Sequence, residues 1–272
     1  MIRANAARYP ISARCRILGV PRSTYYWMTG HPGTERADPI AAVRRDGRER
    51  YGARKIKAAL ERKGVTAPRR RIGNIMREQG MTSAYARGRS EPHRTRADEA
   101  RLANLLDRGF DGYAPHTHLA GDLTYVRGGD WAYVCLLVDL ANRGIVGHSA
   151  GRTRDASLVL GAFATLDFPL TDVQVFHTDR GGEFDNTRID ELLDVFDIRR
   201  SPSGKGDPYD NAVVESTNRL LKKELIYRNH YTSLEQLRSD PDDYVWWSDN
   251  QRLHSTLAYR SPNEFTQQGL VL

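Results

Sequence analysis

The sequence predicts an α/β fold, with a mixed five-stranded sheet flanked by helices and a small all-helical region in front of it. Three observations carry this. Apolar residues in the first 82 positions recur at helical spacing between glycine stops. From about residue 118 the texture changes to β-branched, aromatic and aliphatic runs separated by short turns. Helical and strand patterns then alternate as far as about residue 225, which is the order of a sheet covered by helices.

Ile11, Cys15 and Leu18 share a helical face, and Gly19 follows as a stop. Val20 to Tyr26 opens a second short helix with Pro21 in its first turn. Helix, glycine turn, helix is the outline of a helix-turn-helix, and equally of a plain helical hairpin. Residues 29–39 read as a linker rich in Gly, Pro and charge. Tyr51 to Ile56 leads into a helix with Ile56 and Leu60 on one face, ended near Gly64. Arg69, Arg70 and Arg71 open another, with Ile72, Ile75 and Met76 inward and Gly80 as its stop. Residues 83–112 lack periodicity and divide a helical region, 1–82, from a strand-containing core, 113–272.

In the core, strands are expected at Gly121–Arg127, Trp131–Leu140 and Gly144–Ser149. Their short turns make them an antiparallel meander. A helix near 155–167, a strand at Val173–Phe176, a helix near 187–196, a strand near Ile198 and a helix near 208–225 follow. This order matches the ribonuclease H-like layout. A last helix, 233–250, is expected to break at Pro241.

Hydrophobic residues make up 39% of the chain, enough for a packed core. No apolar run reaches transmembrane length, the N-terminus has no signal-like apolar stretch, and the two cysteines have no zinc-ligand spacing. A cytoplasmic, reduced protein is the expectation. Charge is split: residues 1–100 carry a balance of +14 and residues 101–272 one of −7. A basic arm on an acidic domain suggests a polyanion-binding element, with Arg54, Lys55, Arg69, Arg70 and Arg71 off the apolar faces. A fragment of residues 100–272 is accordingly expected to fold alone and to hold DNA weakly.

Three carboxylates stand out by context. Asp122 lies in a strand, Asp179 follows one in His177-Thr178-Asp179-Arg180-Gly181, and Glu215 lies in a helix. An acid inside a covered strand is costly unless compensated, and a divalent cation compensates where carboxylates converge. Phosphodiester attack needs an activated oxygen and a stabilised leaving oxygen, which two Mg2+ ions supply together. Carboxylates and phosphate oxygens are the hard donors such ions prefer. Asn211, one turn before Glu215, either orients that acid or caps the helix. His177 is read as packing behind the strand end, with assistance at the site as the alternative. Lys205, in a Gly-rich loop, either contacts phosphate or is an exposed loop lysine.

Asp179 and Glu215 have 35 residues between them, and with Asp122 the spacing resembles the D,D(35)E signature of transposases and retroviral integrases. The motifs around Asp122-Leu123-Thr124-Tyr125, Ser201 to Ala212, Asn250 to Leu257 and Tyr259 to Phe265 resemble more closely the OrfB transposases of the IS-three family of insertion sequences. The resemblance covers almost the whole chain. It implies a ribonuclease H-like core using Mg2+ or Mn2+ at the three acids, cleavage of double-stranded DNA at the element's terminal inverted repeats, and strand transfer into target DNA. It also implies a homo-oligomer in the synaptic complex and an upstream-frame partner protein. Leu119, Gly121 and Ser248-Asp249-Asn250 depart from the family's usual residues.

Two rivals are weighed. His116-Thr117-His118 superficially matches a two-histidine metal motif of nucleases that use a Tyr nucleophile, although Pro115 precedes it. A catalytically decayed DNA-binding protein derived from a transposase is the alternative function. A retroviral-type integrase is disfavoured because its His-His-Cys-Cys zinc module is missing.

Overall fold

Short apolar stripes build the first helices. The computed structural model describes residues 10–17, 19, 21, 22, 26, 39–85, 104–106, 109–127, 131–203 and 211–272. Helix α1 spans Ile11–Ile17. Most of the second helix expected at 20–26, and all of the linker at 86–103, lie outside the described residues. Helix α2, Pro39–Asp46, was not expected: it buries only Ile40 and Val43, too short a stripe to register as a period. Helices α3 (Ala53–Arg62) and α4 (Arg69–Glu78) bury Ile56 and Leu60, and Ile72 and Met76, as their spacing requires. Gly64 and Gly80 follow them with φ of +72° and +64°, the left-handed conformation that ends a helix at little cost.

Five strands form one sheet in the order β3-β2-β1-β4-β5. They are β1 (His118–Arg127), β2 (Trp131–Asp139), β3 (Ile145–Gly151), β4 (Val175–Thr178) and β5 (Arg199–Pro202). The first three pair antiparallel, and β4 and β5 run parallel to β1. The mixed sheet and its helical cover are those the sequence order implies. Gly121 stands at a crowded point of β1, where a Cβ would lie 2.8 Å from the Phe176 ring. That explains one departure from the family pattern: the ring fills the space a Thr or Ser side chain would need.

Helices α5 (Ala156–Phe163) and α6 (Thr187–Val195) cover one face through Leu158, Val159, Phe163, Ile189 and Leu193. The other face carries α7 (Ala212–Glu224) and α8 (Leu234–Asn250), followed by α9 (Pro262–Gln267). Pro241 does not break α8, contrary to expectation. It lacks the N–H that would meet the Leu237 carbonyl, but it is buried with Leu237, Tyr244 and Trp247. That packing outweighs the roughly 3 kcal/mol an interior proline costs. Asp249 also acquires a reason, since its carboxylate accepts the Ile145 N–H at 3.1 Å where β3 begins.

Packing crosses the expected linker. Tyr51, Ile56, Leu60 and Ile72 belong to the same core as Val134, Leu221, Tyr244 and Trp247. Arg62 donates to both Glu264 carboxylate oxygens, at 2.7 and 2.9 Å, and Arg48 pairs with Asp243. Removing residues 1–99 would strip a shared core and leave Tyr244 and Trp247 facing water. The expectation that residues 100–272 fold alone therefore does not follow from the packing. Among the described residues no helix is long and apolar enough to cross a membrane.

Candidate active site

The strand register joins two acids that lie far apart in sequence. Gly121 pairs with Thr178 at the last level shared by β1 and β4, so Asp122 on β1 and Asp179 just past the end of β4 are the residues that follow it. Strands in a sheet lie about 4.8 Å apart. Beyond this level β4 ends, and the edge of β1 opens at Asp122. Asp122 Oδ1 accepts its neighbour Leu123 N–H at 2.8 Å, and Asp179 Oδ1 accepts Gly181 N–H at 3.0 Å. Behind that turn Glu183 is buried and ion-paired with Arg154 at 2.6 Å. A Cβ at Gly181 would lie 2.5 Å from the Glu183 carboxylate, which would have to shift to admit one.

The third acid arrives on α7. Val214, Asn218 and Leu221 bury one stripe of this helix against the sheet, and Glu215 lies beside it in the first turn. A carboxylate near a helix N-terminus is favoured by the helix dipole. Asn218, one turn after Glu215, donates from Nδ2 to Asp122 Oδ2 at 2.8 Å. This bond ties the helix of the third acid directly to the first.

Electrostatics connect all three. Burial, then the charge of Asp179, pushes the Asp122 carboxyl up to about 7, with Glu215 adding to the rise and Asn218 opposing it. Burial also raises Asp179, with Glu183 adding and Arg154 opposing. Glu215 rises through burial, with Asp179 adding and Arg219 opposing. Among the described residues no three His, Cys, Asp or Glu side chains form a ready-made metal cage. The donor set nonetheless suits a hard divalent cation: three oxygen acids, partly desolvated and mutually repelling, are what such an ion stabilises.

The shift of Asp122 has a definite sign in stability. Its folded-state pKa lies above the unfolded value near 3.9, so the folded protein holds the proton more tightly. The associated stability is complete at low pH and is lost as pH rises through about 7. Metal-free Asp122→Asn should therefore match wild type near pH 4 and become progressively more stable than it up to about pH 8. Urea denaturation of both proteins in EDTA across this range measures the difference. A gap that shrinks as pH rises would contradict the assignment.

Other expected residues fall into place differently. His177 is fully buried on β4, its Nδ1 3.0 Å from Ser201 Oγ on the neighbouring β5 and its ring edge-on to Phe110. It packs behind the strand end. Asn211 precedes α7, and its backbone carbonyl accepts the Glu215 N–H at 3.1 Å. Its side chain makes no capping bond, and its buried Oδ1 has no partner among the described residues. Lys205 lies outside the described residues. Arg54, Arg69, Arg70 and Arg71 are exposed. Lys55 is not: it turns inward, donating to Tyr85 Oη at 3.0 Å. Burial, reinforced by Arg252, lowers its ammonium to about 7, and its place in this inward network speaks against a phosphate contact. The reading of residues missed Asn218, Arg154 and Glu183. Asn218 was findable, because three residues after Glu215 is the same helix face. His116 and His118 stack separately, on Phe168 and Tyr113, and share no site.

Residues 112–208 match the family model described as Integrase core domain, residues 197–262 match a second of the same description, and residues 34–89 match HTH-like domain. The chain is 31% identical over 285 residues to "Transposase InsF for insertion sequence IS3A" of Escherichia coli (strain K12), covering 99% of this chain and 98% of that protein. The chain belongs to the IS3 family of insertion-sequence transposases. This transposase is also 29% identical over 234 residues to "Transposase for insertion sequence element IS904" of Lactococcus lactis subsp. lactis (strain IL1403), with coverage of 84% and 92%. Among solved structures it is similar to the HTLV-2 integrase catalytic core domain in complex with magnesium, at 18% identity and TM-score 0.42, covering 56% of this chain and 96% of that one. Transposition by polynucleotidyl transfer is its activity, and a decayed DNA-binding derivative is not favoured.

Proposed function

We propose that this IS3-family transposase cuts and joins DNA strands at a centre formed by Asp122, Asp179 and Glu215. The observation that carries the reading is the Asn218–Asp122 hydrogen bond, which fastens the helix of Glu215 to the strand level where Asp122 and Asp179 are neighbours. Two divalent cations, Mg2+ or Mn2+, held by these acids would supply the charge that activates the attacking oxygen and stabilises the leaving one. The protein's part is orientation. Asn218 fixes one oxygen of Asp122, the Gly181 N–H fixes one oxygen of Asp179, and Arg154 holds Glu183 away in its own ion pair.

The duplex itself is held elsewhere. Arg54, Arg69, Arg70 and Arg71 present exposed guanidinium groups on the helical region, where they fit phosphate contacts to element ends and target DNA. Lys205 is proposed to add a contact from its glycine-rich loop. The working form is a homo-oligomer in a synaptic complex, with an upstream-frame partner, acting near the nucleoid. The test incubates the purified chain with a duplex carrying an element end, in Mg2+ or Mn2+. Nicks leaving a 3′-hydroxyl at the element boundary, and none in EDTA, are the expected result. A covalent tyrosine–DNA adduct, or nicking unaffected by EDTA, would contradict it.

A further inference from the structure

Three large aromatic side chains stand in solvent, two of them on the β1–β2 pair beyond the first acid. Tyr125 is 55% exposed, Trp131 53% and Tyr227 60%. Tyr125 lies three residues beyond Asp122 on β1, about 10 Å along the strand. Its ring meets that of Trp131 edge-on, with centroids 5.5 Å apart. Across the β1–β2 pairing Arg127 stands directly opposite Trp131, and its guanidinium lies 5.7 Å from the Trp131 ring centre. From α7, Lys222 places Nζ 3.9 Å from the centre of the Tyr125 ring. Tyr227 lies in the short turn that follows α7, and burial, with Tyr125 adding, raises its phenol.

Exposed aromatics in a cluster forfeit the burial that stabilises them in a core, and a contiguous patch of this kind marks a binding surface. The interleaved cations select its occupant. Rings flanked by Lys and Arg present stacking faces and phosphate partners together, which is the chemistry that grips unpaired nucleotides. A duplex end held at Asp122 has unpaired bases to offer when its terminal pairs open. We infer that Tyr125, Trp131 and Tyr227, with Arg127 and Lys222, form a stacking subsite for unpaired bases at a DNA end. The subsite rests on the proposed function only for its position next to the reaction centre.

Stacking on such platforms tolerates any base, so a duplex of arbitrary sequence serves as probe. One oligonucleotide duplex is blunt, and the other carries a three-base single-stranded tail containing 2-aminopurine. Binding to the full chain is followed in EDTA, where strand cleavage plays no part, so failure of the catalytic reading leaves this test intact. Wild type should quench the 2-aminopurine and prefer the tailed duplex by about five- to hundredfold. The pair Tyr125→Ala and Trp131→Ala should lose quenching and preference but keep its affinity for the blunt duplex. The pair Tyr125→Phe and Trp131→Phe should retain both, which separates lost stacking from a disturbed fold. A wild type without quenching or preference overturns the inference, whatever the variants do. So does an alanine pair that keeps the preference, including one whose only change is altered self-association in sedimentation, since the face would then join two copies of the chain.

Discussion

Replacing Glu215 by Gln is expected to slow strand nicking about a thousandfold or more. Gln keeps the size and one hydrogen-bonding oxygen but deletes a charge that acts on the two half-buried aspartates. Losing several kcal/mol of stabilisation at a developing phosphoryl charge corresponds to that factor, since about 1.4 kcal/mol is tenfold in rate. Duplex binding should change little, because the exposed arginines of the helical region lie away from α7 in sequence and carry their own charge. Comparing initial nicking rates in Mg2+ with binding measured by gel shift separates the two effects. A variant that nicks at the wild-type rate would remove Glu215 from the site.

Replacing Glu224 by Ala should destabilise the fold by about 3–5 kcal/mol. Glu224 is completely buried at the end of α7. Arg252 meets it twice, from Nε at 2.8 Å and from Nη2 at 3.0 Å, and Tyr244 donates to it at 3.0 Å. Tyr85 also donates to it, and Lys55 reaches it through Tyr85. Burial alone would push the Glu224 carboxyl up, but Arg252, with Lys55 and Tyr85, holds it below its ordinary value. Without the carboxylate a buried guanidinium and two hydroxyls lose their partner, and the helical region loses a polar anchor on the core. Urea denaturation of the two proteins measures the loss. A change below about 1 kcal/mol would mean the network is not structural in the way its burial implies.

These two sites differ in how far the sequence exposes them. The acids were legible because each sits in a local context, a strand, a strand end and a helix, whose order implies one sheet. The parallel pairing of β1 with β4, which brings the positions of Asp122 and Asp179 side by side, was already suggested by the alternation of helices and strands. The Glu224 network was not legible. Lys55 lies next to the apolar stripe of α3, and its inward turn depends on Tyr85, Glu224 and Arg252, distant in sequence. Nothing in the local sequence around Arg252 shows its near-complete burial, which commits it to the fold. Helix α2 was missed because two buried residues make no period. Pro241 misled because an interior proline is a local rule, and tertiary packing overrode it. Charge indicated a basic helical region correctly, yet gave no sign that its apolar faces are shared with α8.

The central claim is that the three acids hold a divalent cation together, and metal-directed cleavage of the polypeptide tests it without any DNA. Fe2+ substituted at the site, with ascorbate and peroxide, generates radicals that cut the backbone close to the ion. The account predicts cuts confined to the chain near Asp122, Asp179 and Glu215, suppressed by excess Mg2+ and lost in Glu215→Gln. Cuts at one of these positions but not the others, or a pattern that Mg2+ does not suppress, would contradict a shared site.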